Sequence, residues 1–229
     1  MIFDYFINGV KLDRVAQVKD LGVLLDQDLR FNSHISKITS KAFRNLGFVY
    51  RNSKEFRNPN TFRTLYCSLV RPGLEYCSTL WSPQYNIWTD EIESVQKKFL
   101  RFLRFKDYSN RQIANNDLLK KYDLLPLKHR RQIIDIVFVY KVLNFLIDCP
   151  DVLQNINLRT NISHTRNRDT FTVKRYNTNI GGNSPLNRSL KLCNIIGNPP
   201  YNIDLFNESL QTLKQKLAML FVEHQILGT

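Results

Sequence analysis

A mainly α-helical chain opened by a short β-hairpin is what this sequence predicts, and three observations carry the reading. Asn8-Gly9 lies between apolar residues, a two-residue hairpin signal because both turn positions need positive φ. From Asn32 or Ser33 the apolar residues fall at steps of three and four, the period of a helix with one buried face. That period returns in four later segments, the last reaching Phe221, and 43% hydrophobic residues in 229 can fill a sizeable core.

In chain order, the first 25 residues read as two or three short strands. Tyr5 to Leu12 holds the Asn-Gly turn, and Val18-Lys19-Asp20-Leu21-Gly22-Val23-Leu24-Leu25-Asp26 is an apolar run of β type. A glycine inside such a run marks a bulge or a close backbone approach, so Gly22 is open to two readings, a core bulge or a strand edge offered to a ligand. A lone hairpin is marginal in water. These strands should lean on the following helices or on a sheet outside this chain.

Ile35, Ile38, Ala42, Leu46 and Val49 predict a first helix opened by a polar cap, with Lys37, Lys41, Arg44 and Arg51 on its other face. Asn58-Pro59 restarts the helix with proline where its missing N–H costs least. Phe62, Leu65, Tyr66 and Leu69 follow before Arg71-Pro72, with Leu74 to Trp81 as a kinked continuation. A third helix is expected from Thr89-Asp90, with Asp90 and Glu93 as a capping box and Ile92, Val95 and Phe99 buried. Lys97, Lys98, Arg101 and Arg104 crowd its second half, as cations at a helix C-terminus or as phosphate contacts.

These three helices describe a small bundle over 32–105, after a hairpin unit over 1–31. The extension, 106–229, opens with a polar, irregular stretch from Asp107 to Tyr122. A long fourth helix follows from Leu125, turning Ile133, Ile134, Val137 and Tyr140 inward, and Cys149-Pro150 ends it. Its first turn carries Lys128, His129, Arg130 and Arg131 where the dipole prefers acid, which points to an outside anion. Over 151–200 the periodicity is lost, and Arg159, Arg166, Arg168, Lys174, Arg175, Arg188 and Lys191 are interleaved with Phe171 and Tyr176. Such a mix suits loops that follow a phosphate backbone, and equally a poorly ordered segment. Asp204 to Phe221 reads as a final amphipathic helix.

Charge narrows the partners. Lys and Arg outnumber Asp and Glu by 33 to 20, a net charge of +13 that favours polyanions, nucleic acid ahead of anionic membrane. Four dispersed cysteines, Cys67, Cys77, Cys149 and Cys193, indicate neither a disulfide framework nor a zinc knuckle. No run approaches the roughly 18 apolar residues of a membrane span, and no secretory leader is recognisable. The expected setting is the cell interior, cytoplasmic or nuclear, without membrane contact.

Catalytic signatures are missing. No nucleophile elbow, phosphate-cradling glycine loop or pair of histidines at metal spacing occurs, and His34, His129, His164 and His224 stand far apart. Asp26 and Asp28 are close, but they read as turn aspartates rather than Mg²⁺ ligands.

Four blocks nonetheless carry a resemblance. Val18 to Asp26, then Leu29, Phe31 and His34-Ile35, then Leu69-Val70-Arg71-Pro72 through Leu74-Glu75-Tyr76-Cys77-Ser78 to Leu80-Trp81-Ser82-Pro83, then Ile92-Glu93 to Arg101, keep the order and spacing of one family. Over about residues 10 to 150 the chain resembles the C-terminal part of reverse transcriptases of jockey-like non-LTR retrotransposons. The tail, with Arg188 and Ile203-Asp204-Leu205-Phe206, resembles them more weakly.

The resemblance implies that Lys19 to Leu25, Gly22 included, is the primer grip, and that the helices after it form the thumb along a template-primer duplex. It also implies a departure. The aromatic-x-Asp-Asp motif that binds Mg²⁺ in that family is absent, with the fingers and the rest of the palm, so the two-metal site for phosphoryl transfer is missing. The expected function is that of a fragment or degenerate copy of an RNA-directed DNA polymerase, inactive by itself and without a cofactor of its own. It would bind RNA or an RNA–DNA duplex through phosphates, with Lys37, Lys41, Arg44, Lys97, Lys98, Arg101, Arg104, Lys128, Arg130 and Arg131 as contacts. The alternative is a protein-interaction module whose hairpin edge pairs with the missing palm or another chain.

Overall fold

The computed structural model describes residues 4–159 and 169–223. Arg166, Arg168, His164 and His224 lie outside the described residues. The fold is mainly helical with a short N-terminal pair of hairpins.

Strand β1 (Phe6–Ile7) pairs antiparallel with β2 (Val10–Lys11) around Asn8 and Gly9, whose φ angles are 50° and 79°. Strand β3 (Gln17–Asp20) pairs antiparallel with β4 (Val23–Asp26), joined by Leu21 and Gly22 at φ 43° and 90°. Gly22 is thus a turn residue, neither a bulge nor a strand-edge position. A Cβ there would meet the Tyr76 ring at an ordinary 3.7 Å, so the positive φ, not space, calls for glycine. Tyr76 Oη donates to the Leu21 carbonyl at 3.0 Å and holds this turn onto the helices.

Helix α1 (Asn32–Asn52) buries Ile35, Ala42, Leu46 and Val49 as its spacing predicts. The expected polar cap is replaced by Phe31, which takes the cap position at φ 58° with its ring buried and no side-chain bond. Helix α2 (Pro59–Leu65) is capped by Asn58 Oδ1, which accepts the Asn60 N–H at 2.9 Å. It continues through a π-helical turn, Tyr66–Val70, into α3 (Arg71–Glu75) and, after a break at Cys77, α4 (Ser78–Trp81). Pro72 has no N–H to donate, and the wider turn ahead of it absorbs that loss.

Helix α5 (Asn86–Lys106) begins ahead of the expected Thr89-Asp90 start, with Tyr85 at its cap. Asp90 therefore lies inside the helix, and no capping box forms. The stretch 107–122, read as irregular, contains a 3₁₀ turn and α6 (Asn115–Lys121), whose Leu118 and Leu119 are buried.

Helix α7 (Leu127–Leu143) buries Leu127, Arg131, Asp135, Ile136, Val139, Tyr140 and Val142, whereas the expected Ile133, Ile134 and Val137 are only half-buried. It is packed by α3, α4 and α5 and also by three later helices, so no single stripe faces inward. After α8 (Pro150–Gln154) and α9 (Asn179–Gly182), helix α10 (Pro185–Gly197) occupies a stretch read as irregular. Asn194 explains the misreading: it exchanges two hydrogen bonds, 2.8 and 2.9 Å, with the Phe171 backbone, so a polar residue is at home in the core. A turn at the cis Pro199-Pro200 bond leads to α11 (Leu210–Glu223).

Two hydrophobic cores result. The first runs from Val23 through α1, α2 and α5 and reaches past residue 105 to Leu118, Tyr122, Leu124 and Leu127. The second gathers Ile136, Val139, Phe171, Leu190, Ile196, Leu213 and Leu217. They meet within α7, where the residues between them on the buried side are Arg131 and Asp135.

Candidate nucleic-acid interface

Lys37, Lys41 and Arg44 are exposed on α1, and Phe48 and Arg51 continue the same line. Offsets of four, seven, eleven and fourteen residues at about 100° per residue keep all five within one narrow stripe, roughly 21 Å long. None of these four cations has an acidic partner among the described residues.

Helix α5 lies beside α1. Tyr50 Oη donates to the Lys98 carbonyl at 3.2 Å, the Tyr50 and Phe102 rings stack at 3.9 Å, and Lys98 Nζ lies 5.0 Å from the Phe43 ring centre. This packing sets Lys98 and the exposed Arg101 along the α1 surface, with Phe105, 77% exposed, one turn on from Arg101. Lys97 is exposed and only 4.0 Å from Asp90. Lys19 is exposed on β3, away from these helices in sequence but likewise without an acidic partner among the described residues.

Three other predicted contacts, Arg104, Arg130 and Arg131, serve the fold. Arg104 donates from Nε and Nη2 to the Ile113 carbonyl, at 3.1 and 2.9 Å, and from Nη2 to Asn115 Oδ1 at 2.7 Å, tying the segment before α6 to α5. Arg130 makes a two-pronged pair with Glu75, its Nη2 at 2.9 Å from Oε2. Arg131 is 2% exposed, which removes it from any phosphate backbone. Burial pushes its pKa down, and Glu93 and Asp135 oppose that shift.

The outside anion expected at the start of α7 is supplied from within. Glu93 Oε1 accepts the Lys128 N–H at 2.6 Å. Burial raises the Glu93 pKa, while this bond and Arg131 pull it back. Beside it, Asp135 pairs with Arg188 at 2.8 Å, and Arg188 also donates to the Thr79 carbonyl at 2.7 Å. The basic first turn of α7 is therefore matched by Glu75, Glu93 and Asp135, acids that lie on other helices or further along α7. Sequence reading missed Phe48 and Phe105; their fit to the cationic spacing was the available signal.

Among the described residues, no group of three or more His, Cys, Asp or Glu side chains could hold a metal ion, and no helix is long and apolar enough to cross a membrane. The chain matches no family model, no curated protein and no solved structure.

Proposed function

We propose that this chain binds an RNA–DNA or RNA duplex through its phosphates, as the thumb and extension of a reverse transcriptase of the jockey-like non-LTR type that it resembles. The stripe Lys37, Lys41, Arg44, Arg51 carries the reading, supported by Lys98 and Arg101 on the adjacent helix. Cations without acidic partners gain by displacing counterions from a phosphate backbone, and they read no base edge, so binding is independent of sequence. Lys19 and the Leu21-Gly22 turn adjoin the strand end as a primer grip would. Polymerisation is not part of the proposal, because this chain carries no aromatic-x-Asp-Asp motif.

Fluorescence anisotropy of a labelled RNA–DNA hybrid, titrated at several salt concentrations, tests this. Affinity should fall linearly on a log-log plot against salt, with little difference between hybrid sequences; absence of salt-dependent binding overturns the reading.

A second reading has its own observation. Hairpin β1–β2 leaves Tyr5, Phe6, Ile7 and Val10 exposed, Phe6 by 61%, and its strands have open edges. Such an edge pairs readily with another strand, which fits a palm sheet on a separate chain or a second copy. Light scattering after size exclusion tests the second copy: a dimer supports it and a monomer removes it.

A further inference from the structure

We propose that a cavity between the hairpin end, the α4–α5 turn and the α9–α10 junction binds one unstacked nucleotide, its base among aromatic rings and its phosphate toward Arg30. The cavity measures about 450 Å³, within the range of small-molecule sites. Phe31, Trp81, Tyr85 and Trp88 line it, and Trp81 and Trp88 are the two tryptophans of the chain.

The rings differ in freedom. Trp81 is 1% exposed, its Nε1–H donates to the Tyr76 carbonyl at 2.8 Å, and His34 packs edge-on at 5.3 Å. Trp88 is half-buried and Tyr85 exposed. A fixed inner wall and an adjustable rim suit a flat aromatic guest, and base–aromatic stacking tolerates any base.

Charge selects among flat guests. No carboxylate lines the cavity among the described residues, whereas Arg30 does, and its side chain is largely exposed with Asp28 no closer than 3.8 Å. Arg188 also borders the cavity, but its guanidinium is committed to Asp135 and Thr79. Helices α1, α5 and α10 all begin at the lining, after Phe31, Tyr85 and Ser184, and none has a side-chain cap. Their positive ends add to the preference for an anion. An uncharged apolar guest would use the rings and leave the cation unanswered.

The nucleotide can be free or can be the unpaired end of a strand. Lys37, where the α1 stripe begins, is about 7.5 Å along the helix axis from Asn32 at the cavity. The inference goes beyond duplex binding and stands without it.

Tryptophan emission reports on this cavity alone. Adenosine 5′-monophosphate, adenosine, ribose 5-phosphate, a blunt RNA–DNA hybrid and the same hybrid with a short single-stranded overhang are the probes. Quenching by the monophosphate identifies a free-nucleotide site; quenching by the overhang hybrid but not the blunt one identifies a strand end. Adenosine should bind about two- to fivefold more weakly than its monophosphate, and R30Q should reduce that difference, leaving only the share due to the helix N-termini. Y85A, on the rim, should weaken binding about tenfold, and W88F should keep it. Unchanged emission with every base-bearing probe, or equal quenching by ribose 5-phosphate, overturns the proposal. The triple variant K37Q/K41Q/R44Q should lose blunt-hybrid affinity and keep monophosphate quenching, so this site and the duplex surface fail separately.

Discussion

Glu93 on α5 accepts the backbone N–H of Lys128 at the start of α7, at 2.6 Å. One helix thereby supplies the anionic cap that another helix's own first turn lacks. E93A removes the acceptor and leaves buried Arg131 with less opposing charge, so it should cost about 1–3 kcal/mol. E93Q keeps an oxygen at that position and should cost less. Chemical denaturation of both variants checks the order.

Asp135, 1% exposed, is paired with Arg188. D135A leaves the half-buried Arg188 guanidinium with only the Thr79 and Asn183 carbonyls and no opposing charge, and should cost about 3 kcal/mol. Replacing both partners by apolar residues of similar volume should recover much of that loss, because neither charge is then left unmatched. A double-mutant cycle on thermal or urea melts measures the coupling; strict additivity of the two single changes contradicts it.

The His34 ring links hairpin and helix, its Nδ1 accepting the Leu24 N–H at 3.3 Å. Burial, with Lys37 nearby, lowers its pKa from 6.5. The unfolded chain then binds more protons than the native state between that lowered value and 6.5. Stability from His34 is complete above about pH 6.5 and declines as pH falls through the window. His129, lowered by burial and Lys128, acts in the same direction. Burial raises the pKa of Glu93 and Asp135, which contributes the opposite slope. The readout is therefore the difference in melting temperature between wild type and H34Q, which should shrink on acidification.

For the duplex surface, the salt slope separates phosphate-binding residues from structural ones. Each phosphate left without its cation should reduce the slope by about 0.7–0.9, so K37Q/K41Q/R44Q should lower it by about two to three. R131M should leave the slope unchanged and alter the melting temperature instead. Anisotropy titrations at several salt concentrations, with melts on the same samples, distinguish the two effects.

What could be read in the sequence was local. Asn8-Gly9 fixes its own turn, and the α1 stripe follows from spacing within a single helix, so both were legible. The Leu21-Gly22 turn was not, because it places a leucine at φ 43° and is held by Tyr76, 55 residues away. The basic start of α7 misled for the same reason: Glu75, which engages the Arg130 side chain, and Glu93, which accepts the Lys128 backbone N–H, lie 55 and 35 residues from them. Helix α10 was hidden by asparagines whose partners, such as the Phe171 backbone, no periodicity announces. The aromatic cavity draws its walls from residues 25 to 188, so its existence is a property of the folded chain alone.

The position of α7 between the two cores bears on how this chain can be divided. A segment ending at residue 105 would lack Leu118, Tyr122, Leu124 and Leu127 from its own core and expose Thr79, Glu75 and Glu93 without Arg188, Arg130 and Lys128. The helical bundle and the first part of the extension thus share one hydrophobic core and its hydrogen bonds. A cut that respects this architecture belongs before β3, and a helix that looks like a linker between modules is the part neither module can spare.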